Sequence, residues 1–299
     1  MKPIVYAFPG NESLARRLCG ALDAEPGEWV IRRFPDSETY VRFVTLPHGR
    51  DAMFACSLQQ PDEKMAGLAF AAATARESGA RRIGLVAPYL AYLRQDTAFK
   101  PGEAVASRIF ARWLSGTVDW LATVHPHLHR RAALGEIYGI PTAAASASAA
   151  IADWIGAHVD DPLIVGPDAE SSSWVADVAA RVNAPSIVLS KERSGDRDVC
   201  MSLPASQIAR HRTPVIIDDI LSTARTMSAA VDRLVDAGSA PPICIGVHAL
   251  FCGDAFETLQ RSGARSIITC NTIEHSTNAI DVFPALAAAV RSLSKERSP

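Results

Sequence analysis

The sequence predicts an α/β protein of two tandem halves, each a mainly parallel sheet flanked by helices, and three observations predict it. Short apolar runs alternate with longer segments of helical periodicity, the pattern of parallel strands joined by helical crossovers. Nine such runs occur, more than one ordinary sheet holds. A helix-ending motif also recurs: Glu77-Ser78-Gly79-Ala80-Arg81 precedes one run and Gln260-Arg261-Ser262-Gly263-Ala264-Arg265 another, each with glycine where a helix C-terminus takes a left-handed residue. In chain order the predicted strands are 4–8, 52–56, 82–88, 120–124, 163–166, 186–190, 214–218, 243–251 and 266–270. Composition shifts to small residues in PTAAASASAA (141–150), which places the boundary near 145 and gives segments 1–145 and 146–299.

With 299 residues, 48% hydrophobic and 21% charged, the chain has the profile of an ordinary globular protein, which excludes a disordered, collagen-like or disulfide-scaffold class. The 30 basic and 32 acidic residues leave a net charge of -2, so no global field favours nucleic acid or an anionic membrane. An anion must therefore be bound by a local site. The six cysteines form no C-x-x-C pair, so neither a zinc site nor a redox motif is readable, and most sit in apolar runs as small hydrophobes. Pro9 and Gly10 interrupt the first apolar run too early for a secretory signal, and no stretch reaches the ~18 apolar residues of a membrane span. A cytoplasmic enzyme or binding protein is expected.

The most informative segment is TPVIIDDILSTARTMSAAVDRLVDAG (213–238). An apolar strand ends in Asp218 and Asp219, a hydroxyl-rich loop follows, and a helix with apolar Met227, Val231, Leu234 and Val235 begins. A loop feeding a helix N-terminus offers backbone N–H groups and the positive end of the dipole, which suits a phosphate. The paired carboxylates can hold sugar hydroxyls or, through water, a metal ion. The competing structural reading is a turn with aspartate and an N-capping threonine.

IIDDILST resembles the phosphoribosyl-diphosphate loop of the type I phosphoribosyltransferase fold. FPDSE (34–38), APYLAYLRQD (87–96), VHPHLHR (124–130), VGPDAE (165–170) and KERSGDRDV (191–199) resemble, in order, the successive signatures of the ribose-phosphate diphosphokinase family. That resemblance implies two phosphoribosyltransferase-type domains and a homo-oligomer in which Asp36 and Glu38 of a neighbouring subunit complete the adenine pocket. It implies ATP binding by Arg94, Gln95, Asp96 and His127.

The residues themselves allow these roles and others. Arg94 and Gln95 sit in a Tyr-flanked turn and can reach phosphates and base, or can form a solvated turn. His125, His127 and His129 alternate, so a continuing strand would send all three to one face, an arrangement that ordinarily suggests a transition metal. The resemblance implies instead that His127 lies near a magnesium–nucleotide complex, with His125 where the family has aspartate. Asp168 stands where the family has a metal-associated aspartate, and oxygen ligands suit Mg2+. Lys191 and Arg193 match a lysine-x-arginine pair that closes over the transferred group in that family, where cations stabilise developing charge.

The resulting expectation is diphosphoryl transfer from Mg–ATP to ribose 5-phosphate. Asp218 and Asp219 would hold ribose hydroxyls, and Ser222, Thr223, Ala224, Arg225 and Thr226 the 5-phosphate. Lys191 and Arg193 would be catalytic; neither nucleic acid nor membrane is an expected partner. Ala224, Arg225 and Ser37 stand where the family usually has glycine, and glycine's loss restricts left-handed backbone. A regulatory paralogue and a phosphoribosyltransferase that consumes phosphoribosyl diphosphate are therefore the competing readings.

Overall fold

The apolar run that opens the chain becomes β1 (Ile4–Ala7) in the computed structural model, which describes residues 1–194, 198–202 and 211–295. Helix α1 (Glu12–Leu22) buries Ala15 and Leu18 and stops at Asp23, whose φ of 50° is left-handed. Strand β2 (Glu25–Pro26) is followed by an antiparallel hairpin, β3 (Trp29–Arg33) and β4 (Thr39–Phe43), and then by β5 (Asp51–Ala55). Helix α2 (Pro61–Glu77) has proline in its first turn with Asp62 and Glu63 beside it, the composition a helix N-terminus favours. Strand β6 (Arg82–Ala87), helix α3 (Ala106–Thr117), β7 (Trp120–Val124) and β8 (Thr142–Ala145) complete the first sheet. Its order is β2-β1-β5-β6-β7-β8, parallel throughout.

β6 and β7 are buried on both faces, which is why they read as continuous apolar runs rather than alternating ones. Gly84 pairs with Trp120 across these strands, and a Cβ at Gly84 would come within 1.9 Å of the indole. An aromatic cluster joins sheet and hairpin: Trp29 stacks on Phe43 and meets Phe8 edge-on, with ring centroids 5.7 and 4.9 Å apart. The hairpin tip, Phe34 to Glu38, turns through Ser37 at φ 74°. A left-handed Cβ costs about 1–2 kcal/mol, and glycine's greater unfolded freedom offsets part of that. Ser37→Gly is therefore expected to stabilise the protein by about 0.5–1 kcal/mol, read by denaturant titration.

The second unit spans Ser146–Val282. It opens with α4 (Ser148–His158), β9 (Pro162–Gly166), α5 (Ser172–Arg181) and β10 (Ser186–Val188). An antiparallel ribbon follows, β11 (Ser190–Ser194) with β12 (Asp198–Ser202). The chain continues through β13 (Thr213–Leu221), α6 (Arg225–Asp236), β14 (Ile243–Ala249), α7 (Ala255–Arg261), β15 (Ser266–Cys270) and β16 (Asn278–Ile280). Its sheet order, β10-β9-β13-β14-β15-β16, repeats that of the first unit, again all parallel. Met227, Val231 and Leu234 of α6 are buried as expected, whereas Val235 is 42% exposed.

The final helix, α8 (Phe283–Lys295), belongs with the first unit, Met1–Ala145, and not with the 146–299 segment expected from the boundary at 145. It packs on β7, β8 and α1, and Arg82 and Arg291 bond to Leu293 and Ala21 carbonyls within that unit. The segment 141–150, read as a small-residue boundary, contains β8 and the start of α4. Gly79 and Gly263 both have positive φ, but they precede the fourth strand of one sheet and the fifth of the other. The recurring motif is thus two ordinary helix endings rather than a trace of equivalent positions. The equivalences are clearer in the backbone: α2 and α6 both begin after a left-handed residue, Gln60 at φ 52° and Ala224 at φ 57°.

Candidate active site

In an open parallel sheet, ligands bind beyond the carboxyl ends of the strands where the chain order reverses. In the second unit that point lies between β9 and β13. After β9 the chain passes Pro167 to Asp168, whose carboxylate accepts the Glu170 N–H at 3.1 Å. The Ser171 hydroxyl donates to the Asp168 carbonyl at 2.7 Å. The same serine accounts for Gly166: a Cβ there would meet the Ser171 Oγ at 2.4 Å.

β13 does not end at the acidic pair. It continues to Leu221, with Ile220 and Leu221 paired to His248 and Ala249, because the apolar residues after the aspartates extend the ladder along β14. Asp218 and Asp219 are consequently held on a strand, with the Asp219 N–H donating to the Asp218 carboxylate at 2.9 Å. Burial raises the Asp218 carboxyl well above the ordinary carboxylate range, and the charges of Asp219 and Asp168 add to the shift. Three oxygen-donor groups that repel one another within a single unit fit a hard divalent cation or sugar hydroxyls.

The loop after β13 leads directly into α6. Ala224 takes the left-handed turn and accepts the first helical bond from the Ser228 N–H at 2.8 Å, so neither threonine supplies a side-chain cap. The next amides, those of Arg225, Thr226 and Met227, belong to the helix's first turn, where N–H groups lack intrahelical acceptors and the dipole is positive. Thr223 and Arg225 are exposed. Ser222 is instead buried, its Oγ 3.5 Å from the Cys252 Sγ, and its carbonyl accepts the Cys252 N–H at 3.0 Å. The segment after β14 therefore braces the loop before α6, a contact that nothing in the residue order around Cys252 signals.

In the first unit, Asp36 and Glu38 lie at the tip of the β3–β4 hairpin, with the Glu38 N–H donating to the Asp36 carboxylate at 3.2 Å. Arg94 and Gln95 are exposed in the loop after β6. Tyr92 supports that loop: its ring packs on Phe110 with centroids 4.8 Å apart, and its hydroxyl bonds to Asp62. Asp96 differs from its neighbours, because it is mostly buried and pairs with Arg130 at 2.6 Å. Arg130 was not among the expected residues; the basic pair after His129 was its only sequence signal.

The histidine segment is not a strand. β7 ends at Val124 and His125 turns at φ 39°, its N–H donating to the Ala145 carbonyl at 2.8 Å, so alternation does not carry the three histidines to one face. His127 and His129 meet edge to face, with ring centroids 3.6 Å apart. Lys191 and Arg193 fall on β11, opposite Met201 and Val199 of β12; their side chains lie outside the described residues.

Two parallel sheets of one topology, the second with an acidic pair leading into a helix-capped loop, define a protein of the phosphoribosyltransferase type. Residues 4–117 match the model of the N-terminal domain of ribose phosphate pyrophosphokinase, and residues 136–287 match that of the phosphoribosyl transferase domain. The chain is 31% identical to a ribose-phosphate pyrophosphokinase of Methanopyrus kandleri over 97% of its length and 99% of that protein's. It is 32% identical to one of Halobacterium salinarum, covering 94% and 98% of the two chains. The crystal structure of phosphoribosylpyrophosphate synthetase from Mycobacterium smegmatis superimposes with a TM-score of 0.87 at 21% identity, over 99% of this chain and 100% of that one. The chain belongs to the ribose-phosphate pyrophosphokinase family.

Proposed function

We propose that this protein transfers the diphosphoryl group of Mg–ATP to the anomeric hydroxyl of ribose 5-phosphate, giving phosphoribosyl diphosphate and AMP. The observation that carries the reading is the β13–α6 junction, where a carboxylate pair held on β13 is followed five residues after Asp219 by the left-handed turn at Ala224 into a helix N-terminus. Asp218 and Asp219 accept hydrogen bonds from ribose hydroxyls. The amides from Thr223 to Thr226 hold the 5-phosphate, and the buried Ser222 supports the loop through Cys252. The anomeric oxygen attacks the β-phosphorus, the bond from that phosphorus to the α-phosphate oxygen breaks, and AMP leaves; the hydroxyl proton passes to solvent. Lys191 and Arg193 neutralise charge on the moving oxygens. Asp168, with its oxygen donors, and His127 are the residues assigned to magnesium, which neutralises phosphate charge when bound with the nucleotide.

Arg94 and Gln95 contact the nucleotide, while Asp96 acts by orienting Arg130. Asp36 and Glu38 act on a neighbouring copy, in a homo-oligomer. The outward face of α2 supports assembly: Ala66, Phe70 and Ala73 are exposed on one face of the helix, and Phe70 is 50% exposed. No helix among the described residues is long and apolar enough to cross a membrane, and Cys56, Cys244 and Cys270 are free buried thiols, consistent with a cytoplasmic enzyme.

Phosphorus NMR of the protein with ATP, magnesium and ribose 5-phosphate is expected to show AMP and phosphoribosyl diphosphate in equal amounts. ADP with a newly phosphorylated sugar would overturn the reading. Arg225 opens α6, where a cation is unfavourable to the dipole unless an anion is also present. Arg225→Ala is expected to raise the KM for ribose 5-phosphate about tenfold, about 1.4 kcal/mol, with little change for ATP. An unchanged sugar-phosphate KM would leave the loop amides as the phosphate's main donors.

A further inference from the structure

The first unit has its own reversal of strand order between β1 and β5, and a cavity of about 300 Å³ opens beside it, between the β3–β4 hairpin and the first turns of α2. Phe8, Ile31 and Gly67 give it an apolar lining. Arg32, Arg33 and Lys64 bring three cations to it and Glu63 one carboxylate, so the lining carries an excess of positive charge. Among the described residues none of the three is in an ion pair. Arg32 lies over the rings of Phe34 and Tyr40 at 4.5 and 4.6 Å, the Arg33 guanidinium donates to the Glu63 carbonyl at 3.0 Å, and the Lys64 ammonium donates to the Ser57 carbonyl at 2.7 Å.

These partners orient the three groups without cancelling their charge. Lys64 is half-buried, and burial lowers the pKa of its ammonium by more than the neighbouring charge of Glu63 raises it. Holding an excess of positive charge around an apolar hollow is unfavourable unless a further anion occupies it. The size suits a small organic molecule, and planar guanidinium groups match the oxygen spacing of a phosphate. Gly67 limits the depth, since a Cβ there would already meet the Ile31 Cδ1 at 2.8 Å.

We infer that this cavity is a second ligand site, separate from the β13–α6 junction, that binds a phosphate monoester carrying a compact apolar body. Its apolar part packs on Phe8 and Ile31, and its phosphate is held by Arg33 and Lys64 at the mouth. The inference rests on the first unit alone and stands whether or not the proposed reaction is correct.

Isothermal titration of phenyl phosphate and of inorganic phosphate into the full chain tests it. The expected result is saturable binding of phenyl phosphate at least tenfold tighter than inorganic phosphate. That component should weaken at least tenfold in both Lys64→Met and Arg33→Gln, and persist in Arg225→Ala, which perturbs only the loop at α6. Thermal melts show whether each variant is folded; Arg33 is exposed, so Arg33→Gln keeps the test valid if Lys64→Met does not fold. No binding, equal binding of the two phosphates, or loss in Arg225→Ala instead of Arg33→Gln would each overturn the site.

Discussion

Replacing Lys191 with alanine is expected to lower kcat about 100-fold, equivalent to about 2.7 kcal/mol, with a smaller change in KM for either substrate. A cation whose main partner is charge that develops as the diphosphoryl group moves contributes to the transition state more than to the ground state. Lys191 and Arg193 stand two positions apart on β11, so one strand carries both, and Arg193→Ala is expected to behave similarly. Steady-state kinetics beside a thermal melt separates the alternatives. A purely structural lysine would lower the melting temperature and leave turnover normal, and that outcome removes Lys191 from the mechanism.

The fold class was legible because its signal is periodicity. All nine apolar runs became strands, since strands buried on both faces leave an unbroken run such as RIGLVA. What escaped was structure without such a signature. β3 and β4 carry the exposed Arg32, Arg33 and Arg42 on a half-buried hairpin, and β8 is made of threonine and alanines, so neither segment reads as a core strand. The C-terminal helix was placed in the wrong unit because its pattern fixes only that it has an apolar face, and not which sheet that face covers.

The site was legible to the extent that it is local. Asp218, Asp219 and the loop after them adjoin in sequence, so strand, carboxylates and helix start could be read together. Tertiary partners could not: Ser171 under Gly166, Cys252 against Ser222 and Arg130 on Asp96 are each set by the packing of separate segments. The missing glycines also meant less than expected. Ser37 and Ala224 adopt the left-handed backbone that glycine would have supplied, at φ 74° and 57°. The loop before α6 keeps its left-handed turn at Ala224 despite the substitution.

Strain of a different kind is concentrated at Asp218, and Asp218→Asn is expected to make the protein more stable and far less active. Its carboxyl is raised well above the ordinary 3.8, first by burial and then by the charges of Asp219 and Asp168. A carboxyl with a raised folded-state pKa binds its proton more tightly in the folded chain than in the unfolded one. Its favourable contribution is complete below the ordinary value and disappears as pH rises through the folded value, so above the ordinary value the carboxyl's ionisation opposes folding. The amide removes that opposition while keeping the size of the side chain. We expect a gain of about 1–2 kcal/mol at pH 7 without magnesium or substrate, the scale usual for relieving an unfavourable functional group. The gain should shrink toward zero as the pH is lowered below the ordinary carboxyl value. The same amide loses a charge-assisted bond to a ribose hydroxyl, and such bonds contribute about 1.5–3 kcal/mol, so kcat/KM should fall on the order of 100-fold. Denaturant titrations from pH 3 to 8 with parallel kinetics check both halves. An equal stability gap at every pH would show that charge is not its cause, and normal kcat/KM in a stabilised variant would remove Asp218 from the sugar site.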